Sequence, residues 1–232
     1  MKENKQLWII DKARKIKKQY TDWRLFKKRE PYFKELKKYI NDDVSIISSN
    51  CFAGRIMQDL HIQYNSPTLG LYFWAADYIE FLSNLKHYLL EANFSFVDHS
   101  KYELGDERRN NNSHWYPIGL LDNKVEIHFL HYFTEEEALE KWKKRAQRVT
   151  FDNLLIIGME QNLCNQKCVL DFDKLPFDNK LFFSTYKDIQ AESNMYIQEF
   201  DSMGEVGNPY LDADIFYKYL LRYFQNRENN LK

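Results

Sequence analysis

An α/β fold, with a layered, mixed and partly parallel sheet flanked by helices, is what the sequence predicts, and three observations carry the prediction. Short apolar runs bounded by turn residues alternate with stretches whose apolar positions recur every three or four residues. Two runs, 116–121 and 124–130, flank Asp122-Asn123, a hairpin signature that makes part of the sheet antiparallel. The first 40 residues hold 14 Lys/Arg against 5 Asp/Glu, a net of +9, whereas the remainder is net −10. That asymmetry sets a basic helical N-terminal arm, residues 1–40, apart from a single α/β domain, residues 41–232, that closes on an amphipathic helix.

In the arm, Ile9, Ala13, Ile16, Tyr20 and Trp23 recur at steps of four and three, one stripe of a helix with Lys and Arg around it. The stripe is expected to pack on the chain's own domain, with an anionic lipid surface as the alternative partner. A second helix is predicted over 23–40, interrupted or restarted at Pro31. Residues 44–48 (VSIIS) read as a buried strand that stops at Ser49-Asn50-Cys51, and Gly54 opens a helix toward His61. A short strand at 71–74 precedes a helix with Asp77 and Glu80 as a capping pair. After a strand at 94–97, residues 99–114 are polar and carry Arg108-Arg109, so a mobile loop is expected. Thr134 and Glu137 form a capping box for a helix that turns Ala138, Leu139, Trp142 and Ala146 inward. Residues 154–158, 169–170 and 180–183 read as strands. Asn208-Pro209 reads as the start of the last helix, which buries Ile215, Phe216, Tyr219, Leu220 and Phe224.

Several classes are disfavoured. No apolar run approaches the roughly 18 residues that span a bilayer. MKENKQLWII has no secretory h-region, so the cytoplasm is the expected location, with peripheral contact at the inner membrane face through the arm. Cys51, Cys164 and Cys168 are too few for a disulfide framework, and Cys164 and Cys168 lack a second ligand pair, so no metal site is expected. An acidic body without a reading motif argues against nucleic acid as a partner.

Three places carry candidate chemistry. At the first, Ser49, Asn50 and the helix opening at Gly54 stand beyond a strand's carboxyl end, where backbone N–H groups can hold a phosphate. Cys51 at that corner is a candidate nucleophile or a buried thiol. The second is the strand end with His128 and His131, joined by His114 from the other hairpin arm; His131 is the favoured acid–base group and His128 either a second one or a core residue. The third is the helix with Trp142, Arg145 and Arg148: arginines for phosphate and an aromatic edge for a base or sugar ring, or a core Trp beneath a solvated basic face.

Six segments together carry a family resemblance: IISSNCFAGRIMQDL (46–60), YNSPTLGLYF (64–73), YPIGLL (116–121), VEIHFLHYFTEEEALEKWKKRAQRV (125–149), FDNLLII (151–157) and FDKLPFDNKLFF (172–183). In this order they resemble the bacterial family of domain of unknown function 1919, often labelled exopolysaccharide biosynthesis protein. Ala53 stands before Gly54 where that family often carries a Gly pair. The resemblance implies a role in capsule or exopolysaccharide biosynthesis, and members are labelled acyltransferases or other sugar-modifying transferases. The expected activity is transfer of a sugar, polyol-phosphate or acyl group to a glycan hydroxyl. A nucleotide sugar or acyl-CoA would serve as donor, with no firmly implied cofactor, and the acceptor would be a saccharide, lipid-linked if the arm reaches a membrane. Ser49, Asn50, Gly54, Arg145 and Arg148 would hold donor phosphate, Trp142 and His114 would contact substrate, and His131 would be the general base. The alternatives are a Cys51/His hydrolase of the esterase type and a non-catalytic glycan-binding or assembly protein.

Overall fold

A computed structural model of the chain describes residues 2–230, with the backbone alone for residues 2–11 and 13. In chain order these residues form α1 (Lys2–Leu36), β1 (Ser45–Ser48), α2 (Phe52–Leu60), α3 (Ala75–Ser83), α4 (Leu85–Leu90), β2 (Phe94–Val97), α5 (Glu103–Asn111), β3 (Ile118–Leu121), β4 (Val125–His128), α6 (Glu135–Ala146), β5 (Leu154–Met159), α7 (Gln166–Asp173), β6 (Lys180–Ser184), β7 (Asn194–Tyr196) and α8 (Ala213–Asn230).

The strands sort by direction into two sheets. One is wholly parallel, in the order β1-β5-β6-β7, and the other is antiparallel, in the order β2-β3-β4. Parallel strands are covered on both faces, and successive side chains go to opposite sides. Ile46, Leu155, Ile157, Leu181 and Phe183 accordingly join one core with Leu36 of α1, Phe52 and Ile56 of α2, and Phe216 and Leu220 of α8. Ile47, Ile156 and Phe182 join a second core with Tyr78 and Phe81 of α3, Trp142 of α6, Phe172 of α7 and Val125 and Ile127 of the antiparallel sheet. Each fully buried Phe contributes roughly 2–3 kcal/mol over an exposed one. A one-residue slip of β5 would exchange the two sets of side chains between cores of different shape. The β3–β4 hairpin turns through Asp122 and Asn123, both with positive φ (48° and 55°), the mirror-image turn whose twist matches that of the strands.

The arm differs from the expectation. α1 runs unbroken through Pro31, because Phe33 packs edge-on against Tyr217 (6.2 Å) and buried Leu36 anchors the last turn. Ile16, Tyr20 and Trp23 do not pack on the domain; each is more than half exposed. The helix meets the body from its inner turns, where Arg29 pairs with Asp59 and Phe33 reaches α8. Ile9 and Ala13 lie outside the residues whose side chains are described.

Four further segments depart from the reading above. Residues 71–74 make no strand but splice the two sheets. Tyr72 exchanges backbone hydrogen bonds with His128 (3.0 Å each), and Phe73 N donates to Ser49 O (2.9 Å). Residues 103–111 form a helix, α5, where a mobile loop was expected. Residues 169–170 lie in α7, whose N-cap Asn165 accepts from Cys168 N. After Asn208, whose Oδ1 accepts from Tyr210 N and Leu211 N (2.8 and 3.1 Å), a turn delays the last helix to Ala213. The capping box holds, with Thr134 Oγ1 accepting from Glu137 N at 3.2 Å.

Candidate functional site

A cavity of about 890 Å³ opens beyond the carboxyl ends of β1 and β5. Ligands of open parallel sheets sit at this end, because strands stop there while the loops that follow them converge. Asn50 and Cys51 enter it after β1, Gln161 and Asn162 after β5, Arg108 from α5, and His131 from the loop after β4. Tyr72, Tyr116 and Tyr210 supply its aromatic wall.

Asn162 ties the wall together. Its φ of 57° lies in the left-handed region, which Asn tolerates better than most residues. Its Nδ2 donates to Phe73 O (3.0 Å), and its Oδ1 accepts from Arg108 Nη1 (2.6 Å). The Arg108 guanidinium sits 4.6 Å from the ring centre of Trp74 and 5.7 Å from that of Tyr72. A cation held over two rings and by one amide is aimed, yet remains exposed at the cavity mouth. α5 can approach because residue 105 is Gly. A Cβ there would stand 2.1 Å from Ser100 Oγ and 3.1 Å from His128 Cε1.

Under the floor lies a buried polar chain. The Tyr72 and Tyr116 hydroxyls are 3.3 Å apart, Tyr116 OH is 3.4 Å from His128 Nδ1, and His128 Nε2 is 2.7 Å from Glu126 Oε1. Glu126 also accepts from Ser100 Oγ (2.5 Å) and Lys101 N (2.8 Å). Burial pushes the Glu126 carboxyl up, but the hydrogen bonds from His128, Ser100 and Lys101 outweigh it and hold it below the usual range. Burial pulls His128 down, against the pull of Glu126. The consistent state is an ionised Glu126 and a neutral His128 that donates from Nε2, leaving Nδ1 to accept from Tyr116 OH. Trp74 Nε1 also stands 2.9 Å from Nε2, and one ring nitrogen serves only one of the two. His128 is therefore a core histidine one hydroxyl removed from the cavity.

Of the candidates named from sequence, Asn50, Cys51 and His131 meet in this cavity. Burial pulls the His131 imidazole below its ordinary pKa, with His114 adding to the effect, so it is neutral and able to accept a proton near pH 7. Burial pushes the Cys51 thiol up to about 11, and Sγ donates to Leu71 O at 3.5 Å. A thiol held protonated needs a neighbouring base before it can act as a nucleophile, so the raised pKa weighs against the nucleophilic reading of Cys51. His114 stays beside the rim, its Nε2 donating to Leu130 O (3.0 Å).

The phosphate cradle at the start of α2 is closed by its own side chains. Phe52 N donates to Asn50 Oδ1 (3.0 Å) and Ala53 N to Ser48 Oγ (3.1 Å), so two of the first free N–H groups are spent. Asn50 Nδ2 donates to Gln161 Oε1 (2.9 Å), Ser49 is buried, and a Cβ on Gly54 would meet Leu69 at 3.2 Å. Ser49 and Gly54 thus do not line the cavity. Trp142 and Arg145 of α6, and Arg148 in the turn after it, lie elsewhere too. Trp142 is packed among Phe81, Phe94 and Phe129. Arg145 donates to Tyr132 OH (2.5 Å), and Arg148 reaches Tyr64 O (3.2 Å) on the surface. Helical spacing makes Trp142 and Arg145 neighbours, whereas Arg148 lies in the turn after α6 ends at Ala146; the core claims the Trp edge, and neither arginine lines the cavity.

Gln161, Asn162, Tyr72, Tyr116 and Arg108 were missed. Gln161 and Asn162 had a readable signal, because they follow an apolar strand as Ser49 and Asn50 do. The tyrosines and Arg108 had none in local pattern.

The sequence profile of a domain of unknown function, DUF1919, matches residues 23–228. The chain belongs to this family. A protein of Haemophilus influenzae described as an uncharacterized protein is 36% identical over 173 residues, which cover 74% of this chain and 76% of that protein. The DUF1919 match holds every residue of the cavity and the inner turns of α1, while Ile16 and Tyr20 fall before it. No helix among the described residues is long and apolar enough to cross a membrane.

Proposed function

We propose that this DUF1919 chain is a transferase of capsule or exopolysaccharide biosynthesis that moves a sugar, polyol-phosphate or acyl group from an activated donor to a glycan hydroxyl. The observation that carries the reading is the lining of the 890 Å³ cavity. Asn111, Asn112 and Asn208 bring side-chain amide atoms that stand beside Tyr72, Tyr116 and Tyr210, with Arg108 as the cation, while Gln161 and Asn162 spend theirs holding the wall together. Planar amides match sugar hydroxyls as paired donors and acceptors, aromatic faces stack on sugar or base rings, and a guanidinium takes phosphate oxygens. His131, neutral near pH 7, takes the proton of the acceptor hydroxyl as that oxygen attacks the donor, and the donor's leaving group departs with the bonding electrons.

The arm fits delivery to a lipid-linked acceptor at the inner face of the membrane. Ile16, Tyr20 and Trp23 form an exposed apolar stripe on a helix rich in Lys and Arg, suited to an anionic lipid surface.

Thermal unfolding with nucleotide sugars and acyl-coenzyme A tests the reading. One donor class should stabilise the protein, by about 2.7 kcal/mol at a hundredfold excess over Kd. Arg108→Ala should weaken that binding about tenfold, and His131→Ala should abolish transfer while leaving donor affinity in place. Saccharide binding with no response to any donor would make the protein a glycan-binding module instead.

A further inference from the structure

Behind α2 lies a second buried polar cluster that this reaction does not use. Asp59 accepts from Arg29 Nε and Nη2 (2.5 and 3.1 Å), from Arg55 Nη1 (3.4 Å) and from Tyr217 OH (2.9 Å). Arg29, Arg55 and Asp59 are 5, 4 and 5% exposed. Two guanidiniums thus share one carboxylate, and the cluster keeps a positive charge where water hardly reaches.

The two arginines are used differently. Arg29 applies its side edge, the Nε–Nη2 fork that fits two oxygens at once, to Asp59. The same fork of Arg55 is empty, since Nε and Nη2 are both buried and have no hydrogen-bond partner. A buried donor left unmet costs about 1–3 kcal/mol, and more when charged. Burial accordingly lowers the Arg55 pKa, against the effect of Asp59.

The Tyr210 ring lies over the Arg55 guanidinium, 3.5 Å from ring centre to Cζ. Tyr210 is 48% exposed, belongs to the turn before α8, and lines both the main cavity and a smaller one of about 370 Å³ that Arg55 itself lines. Arg29 and Asp22 also line the smaller cavity, so its wall holds two guanidiniums against one carboxylate.

We propose that the empty fork of Arg55 is a phosphoryl-binding subsite at the smaller cavity, which shares its Tyr210 wall with the main one. Two oxygens of the ligand accept the Nε–H and Nη2–H bonds, and the ligand's charge balances the second guanidinium. Arg29 holds Asp59 in place, so that the carboxylate does not fold back onto the fork. The assignment rests on the reading of the cavity as a donor site only for what the phosphoryl group is attached to.

Calorimetry of the full chain with inorganic pyrophosphate at low ionic strength tests it. The wild type should bind saturably, Tyr210→Ala should bind at least as well, and Arg55→Lys, which keeps the charge and loses the fork, should bind about tenfold more weakly or worse. Labelling of arginines by phenylglyoxal in Tyr210→Ala, which uncovers the guanidinium, gives a second readout, since pyrophosphate should protect Arg55 there. No binding by the wild type, undiminished binding by a folded Arg55→Lys, an unprotected Arg55, or acetate binding as tight as pyrophosphate would each overturn the assignment. Nucleotide sugars that bind wild type and Arg55→Lys equally would remove the subsite and leave the donor reading standing. Pyrophosphate held at Arg55 with no response to any donor would do the reverse.

Discussion

Two buried polar clusters lie near the cavity, and they are balanced differently. In the one around Glu126, a single carboxylate receives three donors, from Ser100, Lys101 and His128, and its charge is met. In the one around Asp59, a single carboxylate faces two guanidiniums, and one fork goes unused. A satisfied cluster specifies structure and has no further use for a ligand. An unsatisfied one carries a cost that a bound anion would relieve.

The widest separation between the two is expected when each loses its acid. Asp59→Ala leaves two buried cations uncompensated and should cost about 3–5 kcal/mol in urea unfolding, and pyrophosphate should restore part of that loss. Glu126→Ala orphans three donors and should cost about 2–3 kcal/mol, with no recovery by anions. Equal rescue of both variants would erase the distinction.

A smaller effect is expected at Asp77, which flanks the Glu126 cluster. Burial raises its carboxyl to about 6, against the pairing with Lys101. Folding therefore favours its protonated form. This contribution is complete below the ordinary carboxylate pKa of 3.8 and is lost as pH rises through about 6. Wild-type stability should fall across that window by up to about 3 kcal/mol more than that of Asp77→Asn, measured by unfolding at fixed ionic strength. The smallest effect belongs to Arg148, exposed and outside both clusters. Arg148→Ala should change stability by less than about 0.5 kcal/mol and leave donor binding unaltered; a loss of donor affinity would reinstate the turn after α6 as part of the site.

The parts that could be read beforehand share one property, that their burial follows a local period. VSIIS and the apolar run of β5 are strands because both their faces meet hydrocarbon, and Asp122-Asn123 turns because both residues tolerate positive φ. α5 was unreadable for the opposite reason. It has no apolar stripe, only Gly105 and Arg109 are buried, and it is held by Gly105 against Ser100, by Arg109 donating to Asp98 O and by Asp106 accepting from Ser100 N. The arm misled in a third way. Its stripe at Ile16, Tyr20 and Trp23 is a true helical face, but periodicity says only that a face exists, not what covers it.

Composition and periodicity alone were enough for the α/β class, the hairpin, the capping box at Thr134 and inward residues such as Trp142, Phe216 and Leu220. Each of these depends on one residue's affinity for water or on the conformation of its near neighbours. The meeting of Asn50, Gln161, Asn162 and Arg108 at one cavity, and the pairing of Arg29 and Arg55 across a single Asp59, depend on distances between segments far apart in the chain. Strand order and helix placement set those distances, so they became definite only once the chain had packed.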